Sequence, residues 1–166
     1  MLSVIVAASD NDIIGKGDDL PWQMSRDLKN FKDLTTGHPV ILGLRTFRSI
    51  VSRLGKPLPN RTNIILSNEP GFEPPEGCVV VDSIPAAMAQ VKDQEAFVIG
   101  GASVYGQMLP FADRLYLTRV HTVSDGDVRL PEIDVSAWSL VHEEDWPKDE
   151  KNEYDATFQI YERSAR

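Results

Sequence analysis

Apolar residues fall in short runs along the chain, and the polar stretches between them carry most of the glycines and prolines. Leu2 to Ala8 is a β-rich apolar run without alternation, as expected of a strand buried on both faces. Pro39 to Gly43 reads as another buried strand, and Thr62 to Leu66, Cys78 to Val81, Ala96 to Ile99 and Arg114 to Val120 read as strands. Met24, Leu28, Phe31 and Leu34 instead recur at helical spacing, with Ser25 as N-cap and Thr35-Thr36-Gly37 as terminator. Leu44 opens a second helix that runs to about Ser52 with Phe47 and Ile50 inward, and a loop spans Ser52 to Lys56. Ser83, with Pro85 close behind, starts a third, and a fourth covers Ala102 to Leu109 until Pro110 stops it. Lys56 to Arg61 and Ser67 to Gly77 are loops, and Ser124 to Asp127 is a turn. Two final strands, near Trp138 to Glu143 and Thr157 to Glu162, flank the charged segment Asp145 to Asp155, which reads as a solvated hairpin loop.

Strands alternating with helices through Leu109 imply βαβ crossovers. The expected class is α/β: one central, mostly parallel sheet of about eight strands with flanking helices and an antiparallel C-terminal edge. Residues 1–166 would form a single domain. In such sheets ligands sit beyond the carboxyl ends of the strands, which here are Ala7-Ala8, Gly43, Leu66-Ser67 and Gly100-Gly101.

Charge and composition narrow the chemistry. A net charge of -8 argues against a nucleic-acid partner, which needs a basic stripe. One cysteine, Cys78, excludes an internal disulfide and any paired-cysteine metal site, and it reads as a small core residue. His38, His121 and His142 stand at no metal-ligand spacing. Neither a signal peptide nor a membrane-spanning run is visible, so a soluble cytoplasmic protein is expected.

Four constellations could carry chemistry. Asp27 shares a helix side with Phe31 and Leu34, where a carboxylate is costly unless partnered; the plainer reading is a first-turn acid complementing the helix dipole. Ile99-Gly100-Gly101 lies between a strand and a helix and could admit a phosphate, or could be a tight turn that needs glycine. Arg45 and Thr46, at a second helix N-terminus after Gly43, could bind another phosphate oxygen or could be a surface cation and an N-cap. Arg61, beyond Pro57-Leu58-Pro59, is a guanidinium on a stiffened loop, suited to a carboxylate.

Together these segments resemble dihydrofolate reductase over nearly the whole chain. The residues that carry the resemblance are, in order, the first strand ending in Ala7, Ile13-Ile14-Gly15, Leu20-Pro21-Trp22, Asp27 with Phe31, and Pro39 to Gly43 with Thr46. Pro57 to Arg61, Asn63 to Ser67, Ile99-Gly100-Gly101 with Tyr105, Leu115 to Thr118 and Gly126-Asp127 complete the series. Each motif alone is weak, but all of them in the family's order are highly specific.

The resemblance implies NADPH-dependent reduction of 7,8-dihydrofolate to 5,6,7,8-tetrahydrofolate, in support of one-carbon metabolism and of thymidylate and purine synthesis. Antifolates such as methotrexate or trimethoprim would bind, to a protein acting as a monomer. It makes Asp27 the pterin-binding carboxylate, assisted by Thr118 and by a water near Trp22, with the carbonyls of Ile5 and Ile99 on the pterin edge. Leu28, Phe31, Ile50 and Leu58 would surround the aminobenzoyl ring. Arg61 would clamp the glutamate α-carboxylate, with Lys32 toward the outer tail. Nicotinamide would lie by Ala7, Ile14, Gly15 and Leu20. Pyrophosphate would lie at Gly43, Thr46 and the series Gly100, Gly101, Ala102, Ser103, Val104 and Tyr105, and adenosine near Arg45, Leu66, Ser67 and Asn68. The loop from Gly15 to Leu20 would be a lid braced by the turn at Asp127.

Two departures concern the nucleotide. Leu44 follows Gly43 where many relatives carry a basic residue, and Ser67 is followed by Asn68 rather than serine or arginine. Two other readings compete: a sister reductase of a ribosylamino-pyrimidine, and a non-catalytic pteridine- or nucleotide-binding module. Asp27 in its helix and Arg61 argue against the first, since a ribityl substrate has no glutamate tail. The intact lid, the Ala7 strand end and Thr118 argue against the second.

Overall fold

The computed structural model describes residues 1–17 and 19–164, so Asp18 of the polar loop lies outside the described residues. The strands are β1 (Leu2–Ser9), β2 (Ile13–Gly15), β3 (Val40–Gly43), β4 (Asn63–Leu66), β5 (Cys78–Val81), β6 (Ala96–Gly100), β7 (Arg114–Val120), β8 (Val128–Arg129), β9 (Trp138–Trp146) and β10 (Ala156–Arg163). The helices are α1 (Ser25–Thr35), α2 (Leu44–Leu54), α3 (Ile84–Gln90) and α4 (Ala102–Met108). Eight strands form the main sheet in the order β5-β4-β3-β6-β1-β7-β10-β9. It is parallel from β5 through β7, and β10 and β9 close it antiparallel, as the alternation of elements implied.

Both faces are covered, which explains the uninterrupted apolar runs. In β1, Leu2, Val4, Val6 and Ala8 join a core under α3 and α4 with Ala87, Val104 and Met108. Ile5, on the other face, joins a second core with Trp22, Met24, Phe47 and Ile50 under α1 and α2. Successive strand residues point to opposite sides, so a strand between two helix layers must be apolar at every position.

Two irregularities open the sheet at its carboxyl end. The β1–β6 ladder stops at Val4 and Val98, whereas β1–β7 continues to Ser9 and Val120. Beyond Val4 the sheet splits between β1 and β6. On its other side β6 shifts register against β3, where Ile41 pairs with Val98 and Leu42 with Gly100, so Ile99 is bypassed. The backbones of Ile5 and Ile99 therefore flank a crevice at the place ligands enter such sheets.

Local details differ from the sequence reading where tertiary partners overrode local rules. Met24, not Ser25, occupies the N-cap of α1, and no side chain of its own segment caps the helix. Leu28 is 54% exposed rather than part of a continuous apolar face, because only Met24, Phe31 and Leu34 reach the core. Helix α2 runs on to Leu54 and ends on Gly55 at φ 75, so most of the expected Ser52–Lys56 loop is helix. Helix α4 stops at Met108 and a 3-10 turn carries Pro110. Cys78 sits half-buried on an edge strand, outside the fully buried core. The segment after Asp145 is not simply solvated either: Trp146 and Asn152 are both buried.

Candidate active site

The carboxylate of Asp27 lies in the crevice at the sheet's carboxyl end. The Thr118 hydroxyl donates to its Oδ1 at 2.7 Å. Thr118 pairs in register with Ala7, and Tyr116 with Ile5, so the acid stands over the β1 and β7 strand ends. Burial pushes the Asp27 pKa up, while the Thr118 hydrogen bond pulls it partly back by favouring the charged form. This is the partner-seeking carboxylate of the sequence argument, not a solvated first-turn acid.

Apolar walls surround it. Ile5, Trp22, Ile50 and Leu58 are buried in one cluster, with Ala7, Phe31 and Ile99 partly buried against it. Leu28 and Lys32 lie exposed on α1, and Leu20 is 38% exposed on the loop before it, so these three do not belong to the packed wall. The Trp22 Nε1 hydrogen is buried and has no partner among the described residues. A buried indole donor of that kind is ready for a polar group entering the crevice.

The Ile5 carbonyl accepts the Tyr105 hydroxyl at 2.8 Å, keeping one lone pair for another donor. Burial, then the nearby Asp27 charge, pushes the Tyr105 pKa up, so the phenol remains a donor. The sequence reading places Tyr105 only along the nucleotide; the structure also joins it to the Ile5 and Asp27 crevice.

Arg61 is held in place. Its Nε donates to the Pro59 carbonyl at 2.8 Å and its Nη1 to the Thr35 hydroxyl at 2.9 Å. Thr35, fully buried, donates in turn to the Phe31 carbonyl at 2.8 Å. Sequence reasoning treated Thr35 only as a helix terminator; a hydroxyl one turn beyond Phe31, facing the proline loop, was the signal available.

A second cradle lies at the ends of β3 and β6. The peptide between Gly100 and Gly101 is cis, and Gly100 has φ +125. A Cβ on Gly101 would come within 3.2 Å of Thr46 Oγ1, and one on Gly43 within 3.3 Å of Val104 Cγ2. The strand ends thus press against the first turns of α2 and α4, with free backbone N–H groups and the Thr46 hydroxyl facing one another. Such a cradle suits a diphosphate and leaves little room for a side chain at Gly43 or Gly101. Ala102 and Ser103 open α4 above it, and Leu66 pairs with Gly43 beside it.

Arg45 lines a groove of about 550 Å³ between α2 and the lid residue Asp19. Arg48 of the same helix forks onto Glu69, whose N–H donates to the Ser67 hydroxyl at 3.0 Å. Asn68 lies exposed between them. These bonds tie α2, which also carries Arg45, to the loop that carries Ser67 and Asn68. The loop after Gly15 is tied to the Asp127 turn: the Gly17 N–H donates to Asp127 at 2.8 Å, and the Asp127 N–H to the Gly15 carbonyl at 3.1 Å. Ile14, on the small β2–β8 sheet, packs against the core beside β1.

The dihydrofolate reductase family model matches residues 1–163. The chain belongs to the dihydrofolate reductase family. Dihydrofolate reductase from Bacillus subtilis is 46% identical over 164 residues, covering 98% of this chain and 95% of that protein. The Haemophilus influenzae dihydrofolate reductase is 44% identical over 162 residues, or 97% and 98% of the two chains. Among solved structures, dihydrofolate reductase from Enterococcus faecalis, complexed with NADP(H) and RAB-propyl, matches with a TM-score of 0.92 at 35% identity. That match covers 99% of this chain and 97% of the other.

Proposed function

We propose that this chain reduces 7,8-dihydrofolate to 5,6,7,8-tetrahydrofolate with NADPH as reductant. The observation that carries the reading is Asp27, a half-buried, desolvated carboxylate held by Thr118 at the split between β1 and β6. A planar pterin offers that acid a 2-amino group and N3, two donors in one edge that match a carboxylate. The remaining lone pair of the Ile5 carbonyl and the bypassed Ile99 backbone then meet the same ring, and Trp22 Nε1 binds a water between indole and acid. Phe31, Ile50 and Leu58 wall the aminobenzoyl ring, with Leu28 closing over it from its exposed position. Arg61, already oriented by Pro59 and Thr35, turns the rest of its fork to the glutamate α-carboxylate, and Lys32 to the outer tail.

NADPH fits the second cradle, and when bound it supplies the hydride that reaches pterin C6. Gly43, Thr46 and the Gly100 to Tyr105 segment would hold its pyrophosphate. Arg45, Leu66, Ser67 and Asn68 would hold its adenosine, and Ala7, Ile14, Gly15 and Leu20 its nicotinamide. The protein's share of the chemistry is orientation and electrostatics. Asp27 faces the ring edge opposite N5, so it polarises the pterin and raises N5 basicity while solvent water delivers the proton. Lid closure over Leu20 excludes bulk water from the reacting atoms. The enzyme would act as a monomer in the cytoplasm, a setting that suits the free thiol of Cys78.

The test is NADPH oxidation with dihydrofolate, followed at the nicotinamide absorbance band. Turnover is expected. Asp27→Asn should fold and lose roughly two or more orders of magnitude in rate at neutral pH, with partial recovery in acid where the substrate arrives protonated. A near-normal rate for that variant would sink the assignment of Asp27.

A further inference from the structure

We propose that Asn152, in the hairpin between β9 and β10, is a positioning residue that holds Asp27 by capping α1 from outside the helix. The proposal rests on the reading of Asp27 as the pterin-binding acid.

Helix α1 begins without a cap of its own. Met24 occupies the N-cap position and offers no acceptor side chain. Its first-turn donors are instead met from residues more than a hundred positions later. The Ser25 N–H donates to the Lys151 carbonyl at 3.2 Å, and the Arg26 N–H to Asn152 Oδ1 at 2.9 Å. Asp27 is the next residue.

Asn152 is built for this task rather than passing by. It is 8% exposed, and its Nδ2 donates to Asp149 Oδ1 at 2.9 Å, which turns Oδ1 toward the helix. Backbone bonds of 3.0 and 3.2 Å between Asp149 and Asn152 fix the turn. The Arg26 side chain adds a second tie, bonding Glu144 at 2.7 Å and lying 4.8 Å over the Trp146 ring. The start of α1 is thus clamped to the β9–β10 hairpin, while the Asp27 side chain is clamped to β7 through Thr118.

The physical consequence follows from where Asp27 sits. A helix frays first at its ends, and uncapped first-turn N–H groups promote it. Asp27 is the third residue of α1, so fraying there moves the carboxylate relative to the ring it grips, and small misplacements are costly in rate. Asparagine is required and aspartate is not equivalent. A carboxylate at this position would face that of Asp149 and would lack the donor that orients it.

The experiment is a double-mutant cycle on the hydride-transfer rate in single turnover, across about pH 5 to 9, alongside thermal melts. Asn152→Ala is expected to slow the step about tenfold at neutral pH while leaving the KM for NADPH unchanged. Asn152→Asp should be equally impaired, and the swap Asp149→Asn with Asn152→Asp should recover most of the rate. Made in the Asp27→Asn background, Asn152→Ala should cost nothing further. An equal loss in both backgrounds would overturn the proposal, because the cap would then act on the fold and not through Asp27. So would a folded Asn152→Ala enzyme with the wild-type rate and pH profile. Asp149→Ala, which leaves Asn152 in place but frees its amide, carries the same cycle if Asn152→Ala does not fold. If Asp27 itself is misassigned, Asp27→Asn alone turns over normally, which is seen before any hairpin variant is made.

Discussion

The Thr118 hydroxyl reaches the Asp27 carboxylate across 2.7 Å, so an acid that burial makes hard to ionise is supported, among the described residues, by one neutral side-chain donor. That relationship sets a conflict between stability and function. The folded-state pKa of Asp27 is raised above its usual 3.8, with burial the larger cause and the Thr118 bond a partial offset. Above the folded pKa both folded and unfolded states carry the charge, and the folded state bears the desolvation cost. Below 3.8 both are protonated and the cost is gone. Asp27→Asn should therefore stabilise the fold at neutral pH, on the order of 1 kcal/mol, while destroying activity. The gain should close as pH falls through the folded pKa of Asp27 toward 3.8. Denaturant titrations of both proteins at several pH values would check it, and a variant less stable than the parent at neutral pH would contradict it.

Thr35, fully buried, should matter to substrate binding through the residues it holds. It accepts from Arg61 Nη1 and donates to the Phe31 carbonyl, so it sets the direction of the guanidinium. Arg61→Ala should raise the KM for dihydrofolate by about tenfold to a hundredfold, the range of a lost charge-assisted pair. A pterin lacking the glutamate tail should be spared. Thr35→Val keeps the volume, and should reproduce part of the Arg61→Ala defect with the same selectivity for the tail. Isothermal titration with the two ligands gives the comparison, and equal losses for both would remove the clamp.

At the other cradle, Gly101 faces the Thr46 hydroxyl so closely that a methyl group would lie 3.2 Å from it. The Thr46 side chain can rotate to admit the methyl, but only by turning its hydroxyl away from the corner proposed to hold the diphosphate. Gly101→Ala should fold, raise the KM for NADPH about tenfold and leave that for dihydrofolate nearly unchanged. Steady-state kinetics with each substrate varied in turn would show the split.

Much of this architecture was legible because its signals are local. The apolar runs at Leu2 to Ala8 and Pro39 to Gly43 had to be doubly covered strands, and Ser83 caps α3 as read, accepting from the Ala86 N–H at 3.2 Å. Asp27 stood out because its helical phase put charge on an apolar side. What was missed depends on distant partners. Ser25 looked like a cap because serine commonly is one, yet the acceptor comes from Asn152, brought near only by folding. Leu28 had the right spacing, but periodicity says nothing of how much of a helix face the sheet covers. Strand β8, only Val128–Arg129, is too short to show a period.

The lid offers the last prediction, and it turns on Gly126. A Cβ there would sit 2.4 Å from the Gly15 carbonyl oxygen and 2.6 Å from Ile13 Cγ2. The nearest of those atoms is backbone, so no side-chain rotation relieves the clash. The β2 segment must move away, and Asp127 moves with its neighbour. Its bonds to the Gly17 N–H and the Gly15 carbonyl are then lost or lengthened. Because these bonds brace the lid root and do not touch the crevice, Gly126→Ala should leave dihydrofolate affinity within about twofold while slowing hydride transfer by tenfold or more. Asp127→Ala, which removes the Gly17 acceptor without the clash, should slow the step less. Single-turnover kinetics on both variants would rank them, and a wild-type rate for Gly126→Ala would mean that the lid closes without this brace.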